Sequence, residues 1–234
     1  MTWPRTCSGR TVLRCRRAAR VTGVTSQAGT RASRMPRDQR RASLLEAASD
    51  VFTSRGYHAA AMDDIAEAAG VSKPVLYQHF PSKLDLYLAL LDASCDSLVD
   101  VVREALVSNE HNADRVVATV EAFYAFVSSA SGEFRFVFES DLTGDASVQQ
   151  RLWRVNEEVA DLIAEVIEAD TALPREQSKL LAICLVGNAQ VSARYWVSSG
   201  MPIPVQEATS LVSRLAWRGI RGFPLTGYDP ARLH

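Results

Sequence analysis

An all-α fold in two parts is predicted for this 234-residue chain: a small N-terminal three-helix unit, then a larger helical bundle. Three observations predict it. Apolar residues recur at helical spacing through most of the chain beyond residue 36, and no run alternates with the period of a half-buried strand. Residues 62–80 also read as two short helices split by a glycine turn. That is the layout of a helix-turn-helix, whose second helix is carried into the DNA major groove.

The elements follow in order. From residue 37 to 55 the positions Leu44, Leu45, Ala48, Val51 and Phe52 mark one apolar stripe; Gly56 stops the helix and Tyr57 folds back on it. Ile65, Ala66 and Ala69 give the next helix a small apolar face. Gly70 supplies the positive φ that ends it, and Val71 packs back. Ser72 is placed to cap the second helix of the motif, and Pro74 falls in its first turn, where a missing N–H costs nothing. Ser82 and Asp85 form a capping box that opens a long helix to about residue 107. Further helices are expected at 112–129, in a short segment 134–142, at 145–169, at 177–197 and at 205–220, about nine helices in all. The 177–197 stretch is apolar on nearly all sides, with the small residues Gly187, Ala189, Ser192 and Ala193 interspersed.

Composition narrows the class. No apolar run is long enough to cross a bilayer. The net charge of −1 hides a gradient: residues 1–34 carry eight arginines and no acid, whereas residues 84–234 carry twelve basic and twenty-one acidic side chains. Cys7, Cys15, Cys95 and Cys184 lack CxxC spacing and neighbouring histidines, so neither structural zinc nor a disulfide framework is expected, and a reducing cytoplasm fits best. Residues 1–34 have almost no hydrophobic periodicity and are expected to be disordered. Three readings of them stand: a basic arm for phosphates, a targeting peptide, or upstream sequence translated from an over-long start, with Met35 as the true beginning. The last is favoured because the helical pattern begins so abruptly there. The divisions expected are 35–83 for the helix-turn-helix, 84–225 for the larger helical bundle, and a tail at 226–234.

Catalytic signatures are missing. There is no GxSxG, no glycine-rich phosphate loop and no HExxH, and no cofactor or metal is expected.

Taken together, Phe52 with Gly56 and Tyr57, the run Met62, Asp63, Asp64, Ile65, Ala66, the run Ala69, Gly70, Val71, Ser72, then Leu76, Tyr77, His79, Phe80, and Ser82 with Lys83 resemble the N-terminal domain of tetracycline-repressor (TetR) family transcription regulators. The resemblance covers residues 37–90. Beyond it, only the helical layout and the stretch from Trp217 to Phe223 are similar. One departure stands out: the family usually has Thr or Ser before the Met62 helix, and this chain has Ala59, Ala60 and Ala61, so a side-chain cap must come from elsewhere.

Candidate DNA contacts lie on the second helix of the motif. Lys73, Gln78 and His79 can donate to base edges or phosphates, Val75 can meet a thymine methyl, Tyr77 can bond a phosphate, and Pro74 shapes the first turn. The alternative for Tyr77 and His79 is packing within the three-helix unit. For Tyr77 and Lys83 the resemblance implies phosphate contact; Lys83 is also poorly placed for the helix dipole. Arg37, Arg40 and Arg41 either grip flanking phosphates or are ordinary solvated charges. Phe123, Phe138, Trp153, Asn188 and Tyr195 are the candidate effector contacts, set against the commoner fate of aromatics as plain core. Arg135, Asn156 and Arg194 are polar residues near the same stretches.

The expected function is a cytoplasmic homodimeric repressor, released from a pseudo-palindromic operator in double-stranded DNA by a small-molecule effector. The resemblance implies a four-helix dimer interface from the 177–197 helix and the last helix; the alternative is a buried central helix in a monomer. The alternatives are an activator, a global regulator without effector, and a helical ligand-binding bundle with weak DNA binding.

Overall fold

The computed structural model describes residues 36–129, 136–137, 142 and 144–221. The expectations for residues 1–34, for most of the 134–142 segment and for the tail lie outside the described residues. Eight helices run in order: α1 (Arg37–Ala59), α2 (Met62–Ala68), α3 (Lys73–His79), α4 (Lys83–Val107), α5 (Asn112–Val127), α6 (Ala146–Asp170), α7 (Arg175–Ser198) and α8 (Val205–Arg221), and no strand occurs among the described residues. Phe136 and Val137, inside the expected short segment, are helical and buried.

The three-helix unit closes over Leu44, Ala48, Phe52, Ile65, Ala66, Leu76 and Phe80. Gly56 breaks the α1 helix with φ 75° and ψ 165°, a backbone region nearly reserved for glycine. The break swings Tyr57 back so that its ring lies 5.9 Å from Phe52 and 5.1 Å from Tyr87 of α4. Gly70 ends α2 with φ 64°, and the Val71 N–H donates to Ala66 O at 3.0 Å, so the second predicted turn is also present. Ser72 precedes α3 as expected, but its hydroxyl makes no capping bond. The missing cap of α2 is partly replaced: the Ala61 N–H donates to the Asp64 carboxylate at 3.3 Å, and Arg55 holds that carboxylate at 2.7 Å.

At the start of α4, Ser82 Oγ accepts from the Asp85 N–H at 3.0 Å and donates to the Asp85 carboxylate at 2.7 Å. The helix is 25 residues long, about 37 Å at 1.5 Å per residue. It buries Leu86, Leu91, Leu98 and Val102 and packs on α1, α5 and α6. One hydrophobic core therefore continues from the three-helix unit into the bundle. In the bundle α6 packs on α7, α5 on α7 and α8, and α7 on α8. Asp145 caps α6 by accepting from the Ser147 and Val148 N–H groups. Its bonds from Ser147, side chain and backbone, and from Val148 hold its carboxyl below the usual range. Cys95 is buried, its thiol pushed up to about 12 by desolvation first and by Asp92 next; it is a neutral core group.

The 177–197 stretch is uncovered on one side. Leu180, Ile183, Val191 and Tyr195 of α7, with Leu211 and Leu215 of α8, are exposed. An apolar helix here has an uncovered face.

Substituting Gly56→Ala should destabilise the protein by about 1–3 kcal/mol, because the observed φ and ψ strain any side chain. A lowered urea midpoint with unchanged slope is the expected reading.

Candidate nucleic-acid interface and internal cavity

Two buried side chains orient α3. Leu76 is fully buried and Phe80, just after the helix, is nearly so. Helical spacing then places residues 74 and 78 opposite them and residue 77 on the flank, while residue 73, three before Leu76, sits on the buried side at the open start of the helix. Lys73, Pro74, Tyr77 and Gln78 are exposed, and Val75 and His79 are half-buried. His79 lies 6.5 Å from the Phe80 ring, so it shares the edge of the unit with the outward face. Lys73 pairs with Asp63 of α2 at 2.7 Å; the hydrogen bond and charge of Asp63 raise its pKa. The two short helices of the motif are thus tied at their N-terminal ends by a solvent-facing ion pair.

Arg37 and Arg41 are exposed on the first turns of α1. The Arg41 guanidinium lies 4.4 Å from the centre of the Phe80 ring, a cation–π contact that sets it beside the end of α3.

Lys83 has a role that the sequence reading missed. Its Nζ donates to Tyr57 O at 2.8 Å, Ala60 O at 3.0 Å and His58 O at 3.4 Å, and it lies 4.4 Å from the centre of the Tyr57 ring. A cation at the first turn of α4 is indeed wrong for that helix's dipole. It is right for the carbonyl end of α1, which is what it meets. Lys83 therefore clasps the turn between α1 and α2 to the start of α4. The signal in the sequence was only the basic residue itself, since its partners lie more than twenty residues away and are backbone atoms.

In the bundle, a cavity of about 120 Å³ is walled by residues of α4, α5, α6, α7 and α8. Leu98, Val102, Val120, Val159 and Ile163 make it predominantly apolar, and Phe123 and Asn188, both candidates from the sequence, line it. Trp153 and Tyr195 do not; they are 66% and 70% exposed. Phe138 and Arg135 lie outside the described residues. Asn156 is held by Gln190 at 2.5 Å, and Arg194 is exposed. The amphipathic period alone could not tell which face of α6 or α7 looked inward, and on each the aromatic chosen falls on the outer one.

Among the cavity residues missed are Arg115, Thr119, Asp170 and Trp217. Arg115 and Asp170 form a 3.1 Å ion pair between α5 and α6, and Arg115 also donates to Asn109 O and Asn112 Oδ1. Among the described residues no group of His, Cys, Asp or Glu is arranged to hold a metal ion, and no helix is long and apolar enough to cross a membrane.

Removing the clasp with Lys83→Met should cost about 1–3 kcal/mol of stability, since three carbonyls lose a charged donor. Urea titration measures it. If Lys83 acts only through this clasp, the salt dependence of DNA binding keeps its slope, whereas a lost phosphate contact would flatten the slope by about one.

Comparison with known proteins agrees with this geometry. Residues 44–90 match the family model for bacterial regulatory proteins of the tetR family. Across 196 residues, 84% of this chain and 90% of the relative, the chain is 44% identical to the HTH-type transcriptional activator FasR of Mycolicibacterium smegmatis. The crystal structure of a TetR-like transcriptional regulator from Rhodococcus sp. RHA1 superposes with a TM-score of 0.65 at 31% identity, covering 81% of this chain and all of that one. The transcriptional regulator FadR of Bacillus subtilis, in complex with stearoyl-CoA, shares the fold with a TM-score of 0.60 at 15% identity, over 80% of this chain and 99% of that one. This chain belongs to the tetR family and is a helix-turn-helix DNA-binding transcriptional regulator.

Proposed function

We propose that the protein is a homodimeric regulator whose hold on a pseudo-palindromic operator is controlled by an amphiphilic effector with a long apolar chain. The observation that carries this reading is that one helix, α4, packs on the DNA-reading unit and walls the apolar cavity.

In this reading Lys73, Val75, Gln78 and His79 face base edges, with Pro74 in the first turn setting their approach. Tyr77, Arg37 and Arg41 hold phosphates. Lys83 acts on DNA by fixing the turn between α1 and α2 on α4, because its donors are already directed at carbonyls there. The 36–83 segment carries balanced charge, so affinity draws less on counterion release and more on the fit of two copies to two half-sites.

The uncovered apolar face of α7 and α8 supports dimerisation. Leu180, Ile183, Val191 and Tyr195 are exposed and follow one another at three to four residues or twice that, which makes a continuous stripe. Two such faces, each with α8 alongside, make a four-helix interface that places the α3 helices about one DNA turn apart, ~34–36 Å. The stripe then forms the dry centre of that interface, with polar residues at its rim.

The effector class rests on the cavity's apolar walls and on FadR, which holds stearoyl-CoA in the same fold. An effector that binds better to one setting of α4 shifts the population of operator-competent dimers. The sign of regulation is a separate matter. The family resemblance suggests repression, while the 44% identical relative is named an activator; that name favours activation, with repression the second reading.

The test begins with selection of bound fragments from a random DNA pool by the full chain; one inverted repeat is expected, and failure to enrich any sequence would end the reading. Stearoyl-CoA should then change affinity for that repeat at least about fivefold. Binding of stearoyl-CoA with unchanged operator affinity would exclude the coupling. A charge in the apolar face, Leu211→Arg, should give monomers by analytical ultracentrifugation and lose operator binding together with the dimer.

A further inference from the structure

We propose that Thr119 and Asn188 select the ligand of the cavity, and that they recognise a hydroxyl carried part-way along an otherwise apolar chain. This rests on the cavity being the effector site, as proposed above. Thr119 Oγ1 and Asn188 Oδ1 are buried and have no hydrogen-bond partner in the structure, and both residues line the cavity. Neighbouring polar groups are engaged: the Tyr124 hydroxyl bonds Ser192 Oγ at 3.0 Å, and Gln190 bonds Asn156. Buried polar atoms without partners are few in natural proteins because each forfeits its hydration. Two of them on the wall of one apolar cavity point to a ligand group that completes them.

The chemistry of the pair narrows that group. An amide oxygen only accepts, while a threonine hydroxyl both donates and accepts. A ligand hydroxyl donates to Asn188 Oδ1 and accepts from Thr119. A ketone offers no donor to Asn188. A carboxylate offers none either, and its charge would be buried among Val102, Val120 and Ile163 at high cost. Position follows from the helix. Arg115 and Asp170, a partly exposed ion pair, mark the charged end, and Thr119 lies one turn further along α5, about 6 Å at 1.5 Å per residue. The hydroxyl therefore sits in the half of the chain nearer the polar head.

Calorimetric titration of the full-length protein with stearic acid, and with monohydroxystearic acids whose hydroxyl is walked along the chain, tests this. A narrow range of positions should bind about 10-fold more tightly than stearic acid, the worth of one satisfied buried pair. In the double variant Thr119→Val, Asn188→Leu the preference should vanish and stearic acid should bind at least as tightly as before. The unliganded variant should also melt higher, by about 2–4 °C, because the unpartnered atoms are gone; a lower melting temperature would assign the pair to structure and overturn the proposal. The isosteric Thr119→Val alone should lose part of the preference. Stearic acid binding with no favoured hydroxyl position, as expected if a trapped water serves both atoms, overturns the selection and leaves the effector site standing. Failure of every acid to bind the wild-type protein overturns the selection, and failure of stearoyl-CoA as well overturns both.

Discussion

Everything in this fold hangs on the double burial of α4. Its first turn is pinned to the carbonyl end of α1 by the Lys83 ammonium, and its middle is sunk between α5 and α6. Tyr87 shows the consequence: it touches Phe52 at 5.5 Å and Tyr57 at 5.1 Å in the DNA-reading unit, and Phe136 at 5.6 Å beyond it. A core that is packed like a solid does not deform gradually. A change in how α4 sits must be shared with the three-helix unit or resisted by it.

The reading face is arranged by what is hidden beneath it. α3 has seven residues, too few to be stable alone, and takes its orientation from Leu76 and Phe80. The ion pair of Lys73 with Asp63 and the stacking of Arg41 on Phe80 hold two cations near its ends. These contacts lie at the surface, and an exposed ion pair is worth little to stability. Their effect is on where the charges wait.

The bundle places unlike surfaces on opposite sides of the same helices. α7 turns Val186 and Asn188 toward the cavity and Val191 and Tyr195 toward solvent. Its sequence reads as apolar nearly all round because it has two apolar duties, one inside the protomer and one on an uncovered face. Ala182 and Ala193, both fully buried, are the small residues that let its neighbours approach. Gly187 is not one of them within the protomer, since a Cβ there would meet open space.

By itself the sequence determined the all-α class, the helix-turn-helix, the glycine breaks at Gly56 and Gly70, the start of α4 at Ser82 and the family, because these depend on local conformational preference and on spacing along one helix. It also offered Lys73, Val75, Tyr77, Gln78 and His79 as the available side of the motif's second helix, of which Lys73, Tyr77 and Gln78 are exposed and Val75 and His79 half-buried. It placed Phe123 and Asn188 in the bundle's interior but equally offered Trp153 and Tyr195, and it passed over Thr119 and Arg115. Only the tertiary structure decided those, because a helix period says that a face is buried without saying which neighbour covers it. The same holds for Lys83. Its partners are main-chain carbonyls brought near by the turn at Gly56, and backbone atoms leave no trace in the identity of the residues that carry them.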